Sequence, residues 1–414
     1  MTELGEEVQR ELCAAVAAFD VDAAERLVEC GADAVRALPD GTTPLLRAVT
    51  SGSPALVSAL LGHEPQVPGA QRVRLLETAR ELDARGAEAE LRRRTRADGP
   101  VERRWVEEWW ADVEELTLGG LTVRDGYTGV LTTLEAAFGV RTPVAELMAR
   151  AVRRPDPCHA VWAASRYAVG PRPEGEAWAE VLDFHRHSLA AYRLFVADCL
   201  DSREEVVSLG APWYEEERRL LHAWVAGEPD AGVLAQLLKA FAGEDHLNGD
   251  SVGLLHMAHP DPRVRREVPH CFGLLGVPLS DRVRAALHAM AGDPDAGVRS
   301  SVADALAYAE STAASREVLL RLLGDAEHDV RLTTAGALAQ WAQQGTPEVV
   351  EALAALLDEE DQLLRLEGAF GLAIRDDPRT PEAYERVGPL GPEFEHDHRA
   401  DGLWRWKFRQ RPNA

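Results

Sequence analysis

Lysine is nearly missing from this chain. Only Lys239 and Lys407 stand among its 45 basic residues, and 69 aspartates and glutamates outweigh them to a net charge of −24 over 414 residues. Nucleic-acid affinity comes mostly from cations that neutralise phosphates, so this balance excludes a dedicated polyanion binder as the default and argues against an anionic membrane surface. Cysteine is also scarce. Cys13, Cys30, Cys158, Cys199 and Cys271 are odd in number, scattered and without C-x-x-C spacing, which excludes a disulfide framework or a zinc site and reads as buried thiols in a reduced compartment. No stretch approaches the roughly 18 apolar residues of a membrane span. The acidic start MTELGEEVQRELCAAV puts no basic region before an apolar core, so no signal peptide is expected and the protein reads as cytoplasmic. Catalytic signatures are missing too: there is no G-x-x-x-x-G-K-[ST], H-E-x-x-H, G-x-S-x-G or dinucleotide glycine motif.

Internal repeats are what the chain does have. Leu12 and Leu45 are 33 residues apart, as are Leu27 and Leu60. Between Asp40 and Gly62 runs DGTTPLLRAVTSGSPALVSALLG. Asp40, Gly41, Thr43, Pro44, Leu45, Ala48, Gly52, Leu56, Val57, Leu60 and Leu61 give it the order turn, short helix, glycine, second helix. This segment resembles the ankyrin repeat, although Leu46 stands where that family usually has His. The preceding ELCAAVAAFDVDAAERLVECGAD resembles a further unit, and Val73 to about Arg96 a degenerate third.

The second half has another period. In register stand HPDPRVRREVPHCFGLLG, GDPDAGVRSSVADALAYA, GDAEHDVRLTTAGALAQW and DEEDQLLRLEGAFGLAIR. An apolar residue recurs at Val264, Val298, Val330 and Leu364, followed each time by an arginine: Arg265, Arg299, Arg331 and Arg365. An acid lies three before the apolar residue, at Asp261, Asp295, Glu327 and Asp361. The pattern resembles the short bacterial form of the HEAT repeat. The acids are placed to cap a second helix, and Val298, Val302, Ala303 and Leu306 form one helical face. Such a face is buried only when neighbouring units stack. The arginine ladder reads as structural, each guanidinium serving a turn acid or carbonyl in its own or a neighbouring repeat.

These readings give an all-α fold, a right-handed helical-repeat solenoid in which ankyrin repeats lead into HEAT-like repeats. The expected divisions are 1–97 (ankyrin-like), 98–242 (divergent helices, degenerate HEAT-like), 243–376 (HEAT-like) and 377–414 (cap and basic-aromatic tail). Trp105, Trp109 and Trp110 are placed on one amphipathic helix over 101–116 with Val113, packed in the core. The tail GLWRWKFRQRPNA alternates Trp404, Trp406 and Phe408 with Arg405, Lys407 and Arg409. Period two reads as an extended segment, expected to dock on the last repeat around Leu356 to Ile374.

Several histidine groups have metal-ligand chemistry: His256, His259 and His270; His185 and His187; and His396 and His398 with Asp397, Glu393 and Glu395. All are read as solvated or hydrogen-bonded rather than as ligands, so no metal and no cofactor is expected. The HEAT resemblance brings enzymatic analogies. Deoxyhypusine hydroxylase uses paired His-Glu dipeptides, and here the one such dipeptide is His63-Glu64. Alkylpurine DNA glycosylases use a basic concave face, and bilin lyases handle a tetrapyrrole.

What the two repeat resemblances imply first is non-catalytic protein binding: an adaptor, regulator or immunity-type inhibitor of a basic partner protein, with no direct nucleic-acid contact and an open oligomeric state. The alternative is a HEAT-repeat enzyme, lyase- or DNA-glycosylase-like, acting on a small molecule or a nucleic-acid base. Counting from the recurring Val or Leu, positions +3, +6 and +10 of each second helix point away from the core. Glu267, His270, Asp304, Tyr308, Gln340, Glu367 and Phe370 are thereby the candidate partner contacts.

Overall fold

In a computed structural model the chain divides into two compact units, Met1–Arg203 and Glu204–Ala414. The structure describes residues 3–62, 66–109, 111–170, 176–202, 212–243, 249–272, 279–308, 312–340 and 346–409. His63, Glu64 and Trp110 lie outside these, as do the side chains of Tyr308 and Glu393.

The first unit opens with two helix pairs, α1 (Glu3–Ala18) with α2 (Val21–Glu29), and α3 (Pro44–Ser51) with α4 (Pro54–Leu61). Each start has a local cause. Asp20, Thr43 and Ser53 accept from the backbone N–H groups of Ala23, Leu46 and Leu56, and Pro44 and Pro54 occupy first-turn positions where a missing N–H costs nothing. Asp40 accepts from both the backbone and the hydroxyl of Thr42 and pairs with Arg47 at 2.9 Å. The Thr42 hydrogen bonds, with Arg47 behind them, pull the Asp40 carboxyl down to about 2. Buried Gln9 holds the loop after α2 through both its amide atoms, to the backbone N–H and carbonyl of Asp33. Leu12, Leu45 and Leu56 form the core between the pairs.

The chain then departs from the all-α expectation. After α5 (Gly69–Arg85) and α6 (Ala87–Thr95) comes a three-stranded antiparallel sheet of β1 (Glu102–Glu108), β2 (Ala111–Leu118) and β3 (Leu121–Arg124), in that spatial order. Residues 101–116 are therefore not a helix, and Trp105 and Trp109 do not share one. Positions 105, 109 and 113 would lie on one side of a helix, but Trp105 is on β1, Trp109 has a positive φ of 55° just beyond it, and Val113 on β2 pairs with Val106, on the sheet face opposite Trp105. What decides for strands is Gly119-Gly120. Both take positive φ (57° and 78°), and they form the two-residue turn between the paired Leu118 and Leu121. Leu116, Leu118 and Val123 join the helical core, while Ala111 and Val113 pack on Ala160.

The sheet is keyed to the helix pairs at Gly52. This residue has φ +79°, and a side chain there would collide with the Arg124 backbone carbonyl at the end of β3. Arg124 itself is buried, pairs with Glu115 at 2.9 Å and lies 4.4 Å from the Phe19 ring centre. The unit closes with α7 (Tyr127–Ala137), α8 (Val144–Ala151), α9 (Ala160–Val169), α10 (Glu176–Leu182) and α11 (Ala190–Asp201).

The second unit is built from helices: α12 (Pro212–Val225), α13 (Ala231–Gly243), α14 (Gly249–His256), α15 (Pro262–Glu267), α16 (Asp281–Met290), α17 (Ala296–Tyr308), α18 (Ala313–Leu322), α19 (His328–Gln340), α20 (Pro347–Ala355), α21 (Gln362–Ala373), α22 (Thr380–Val387) and α23 (His398–Arg409). The second helices α13, α15, α17, α19 and α21 pack one on the next, and α14, α16, α18 and α20 form a looser parallel row. Asp261, Asp295 and Asp361 cap α15, α17 and α21, accepting from Arg263, Val298 and Leu364. Val264, Val298, Val330 and Leu364 are buried, and Ala303, Ala335 and Ala369 lie fully buried where helices come close.

Helix α15 stops at Glu267, because Pro269 has no N–H to offer the carbonyl four residues back. His270 therefore sits on a 3-10 turn, Pro269–Cys271, not on the helix. The tail is helical rather than extended. Leu403 and Trp406 are three apart and both buried, so a helix puts them on one face, while Trp404 and Phe408 stack four apart on the outside. Among the cysteines, Cys199 and Cys271 are buried, whereas Cys30 and Cys158 are exposed, so burial is not general.

Candidate functional site

The second-helix row of the Glu204–Ala414 unit is braced by its arginines. Arg265 donates Nε and NH2 to Asp293 at 2.8 Å each, while NH1 reaches the carbonyls of His259 and Pro260. Arg299 repeats the arrangement on Asp325 and on the carbonyls of Asp293 and Pro294. Arg331 and Arg365 make the same two-carbonyl clamp, on Asp325 and Ala326 and on Glu359 and Glu360. The in-register acids Asp261, Asp295 and Asp361 do not receive these guanidinium groups; they are caps. Asp295 also accepts two hydrogen bonds from Arg266 of the previous repeat. Its carboxyl drops to about 2, chiefly through the Arg266 hydrogen bond.

The seven candidate contacts fall into separate groups on this frame. Glu267 ends α15 and is half-buried. His270 Nδ1 stands 3.7 Å from Asp304 Oδ2, joining the turn after α15 to the middle of α17. Gln340 is exposed at the end of α19. Tyr308 ends α17, and its side chain lies outside the described ones. Of these, Glu267 and Asp304 stand on second helices and Gln340 ends one, while His270 stands on the turn after α15.

Glu367 and Phe370 do not belong to the open face. Both are buried, because α23 lies across α21. Arg399 donates to Glu367 Oε1 at 2.8 Å and to Asp397 at 2.5 Å. Burial pushes the Glu367 carboxyl above the ordinary glutamate range, and the Arg399 hydrogen bond opposes it. Gly336 on α19 faces that carboxyl, and a Cβ there would touch Oε1 at 3.4 Å, an ordinary van der Waals contact. His398 meets the Phe370 ring edge-on at 5.5 Å. Counting from Leu364 holds no information on the covering helix α23.

The histidines act locally. His259 Nδ1 accepts from the Asp261 backbone, His187 Nδ1 accepts from Leu189, and His185 Nδ1 bonds the Leu182 carbonyl. His256 is buried and its protonation is disfavoured by burial. Among the described residues, no three His, Cys, Asp or Glu side chains converge as a metal set. In the Met1–Arg203 unit, a cleft of about 470 Å³ is lined by Arg85, Arg92, Arg103 and Arg154. Each of these guanidinium groups meets a carboxylate, on Glu90, Glu88, Glu114 and Asp125 respectively. Sequence counting also missed Asp293 and Asp325. Their signal was present, as an acid recurring five residues before Val298 and Val330.

Residues 251–339 match the family of HEAT repeats, so the stacked pairs in that stretch are HEAT repeats. Among solved structures, the X-ray structure of YibA from Escherichia coli is similar at 14% identity, covering 65% of this chain and 96% of that one, with a TM-score of 0.43. No curated protein matches the chain. Among the described residues, no helix is long and apolar enough to cross a membrane.

Proposed function

We propose that the chain is a non-catalytic protein-binding solenoid, an adaptor, regulator or immunity-type inhibitor, and that it takes a basic partner on the second-helix face of its HEAT repeats. The observation that carries this reading is the row formed by Glu267, His270, Asp304 and Gln340. These side chains stand on second helices, or for His270 on the turn after α15, held in register by the Arg265–Asp293 and Arg299–Asp325 pairs, so the face is preformed. The net charge of −24 favours a cationic partner and speeds encounter with it. HEAT stacks present extended surfaces whose outer residues vary without disturbing the core. The capped pairs α1–α2 and α3–α4, with the Asp40–Thr42 turn, are read as ankyrin-type units that add a second surface of the same general use.

The test is capture from native cell extract with the full chain as bait, beside a Glu267→Lys/Asp304→Lys double variant. Loss of a specific, basic binding partner with the double variant supports the reading. An unchanged set of captured proteins removes this face from it.

A further inference from the structure

We draw no further inference here: the strongest candidate, the solvent-side face of α23 where Trp404 and Phe408 stack in the open beside the exposed Arg405, is an unpartnered apolar face, and nothing in the structure shows what covers it.

Discussion

Arg299 holds both carboxylate oxygens of Asp325 at 2.7 Å, while its remaining amino group closes on the carbonyls of Asp293 and Pro294. One side chain thus ties its own turn to the turn of the next repeat. Both partners are largely buried, Arg299 at 15% and Asp325 at 11% exposure. Removing the guanidinium leaves a carboxylate and two turn carbonyls short of donors. Arg299→Ala is expected to lower stability by about 1–3 kcal/mol, through unmet hydrogen bonding rather than lost apolar area. Arg299→Lys is expected to recover only part, because an ammonium cannot reproduce the two-pronged contact. Urea unfolding followed by helical circular dichroism measures both. An alanine variant with an unchanged midpoint would show that the ladder follows the fold without supporting it.

The same ladder sets an acid limit. The Arg266 hydrogen bond holds Asp295 at about 2, and the Arg299 hydrogen bond lowers Asp325 below the ordinary aspartate range. A carboxyl depressed in the folded state contributes stability that is present above its unfolded pKa of ~3.9 and is lost as pH falls through the folded value. The thermal midpoint is therefore expected to drop between about pH 4 and pH 2. The drop should be shallower in an Arg266→Ala/Arg299→Ala variant, which starts less stable at neutral pH but has less to lose. Parallel pH curves for the two proteins would contradict this assignment.

How much was readable in the sequence depended on whether a pattern had one structural solution. Val264, Val298, Val330 and Leu364 recur at near-constant spacing with an acid three residues ahead, and only stacked helix pairs satisfy both the buried face and the cap. In the segment 101–124 the spacing of Trp105, Trp109 and Val113 by four suits a helix, but the chain turns between Glu108 and Ala111 and puts Trp105 and Val113 on different strands. Gly119-Gly120 was the discriminating feature, and it is a turn signal only once strands are considered on either side. The tail failed the other way: Trp404, Trp406 and Phe408 alternate like a strand, yet Leu403 with Trp406 makes the helical face that is buried. Of the candidate contacts, Glu267, Asp304 and Gln340 stand on one side of successive second helices because helical geometry alone fixes that. Glu367 and Phe370 are covered because a segment about thirty residues later returns to them, and local periodicity holds no information on that return.

The contact between Arg399 and Glu367 joins that returning helix to the stack. Glu367 is buried at 6% exposure, and burial raises its pKa, so Arg399 is what compensates its charge. Arg399→Ala leaves the carboxylate without its cation and is expected to cost about 3 kcal/mol. Adding Glu367→Gln removes the stranded charge and is expected to recover a substantial part of that loss. Thermal melts of the two variants against wild type measure the coupling. If the second substitution brings no recovery, the pair is not what holds α23 in place.

Gly402 and Phe370 make the tightest test of how α23 is seated. A Cβ on Gly402 would stand 2.5 Å from Cε2 of the Phe370 ring, too close to coexist with it. On helix propensity alone, Gly402→Ala in this helix would gain about 1 kcal/mol. The contact predicts the opposite sign: the new methyl pushes α23 off α21, or forces the ring to shift, and either way Leu403 and Trp406 lose part of their burial. The alanine variant is expected to melt lower than wild type and to bind more of an apolar-surface dye. Deleting residues 398–414 exposes Phe370 altogether and is expected to go further in both measurements. Trp404→Ser supplies the control, because Trp404 is 61% exposed and stacks on Phe408 on the solvent side; its melting temperature is expected to stay near wild type. A Gly402→Ala chain that melts higher than wild type would mean that helix propensity outweighs the contact and that α23 does not rest on the Phe370 ring.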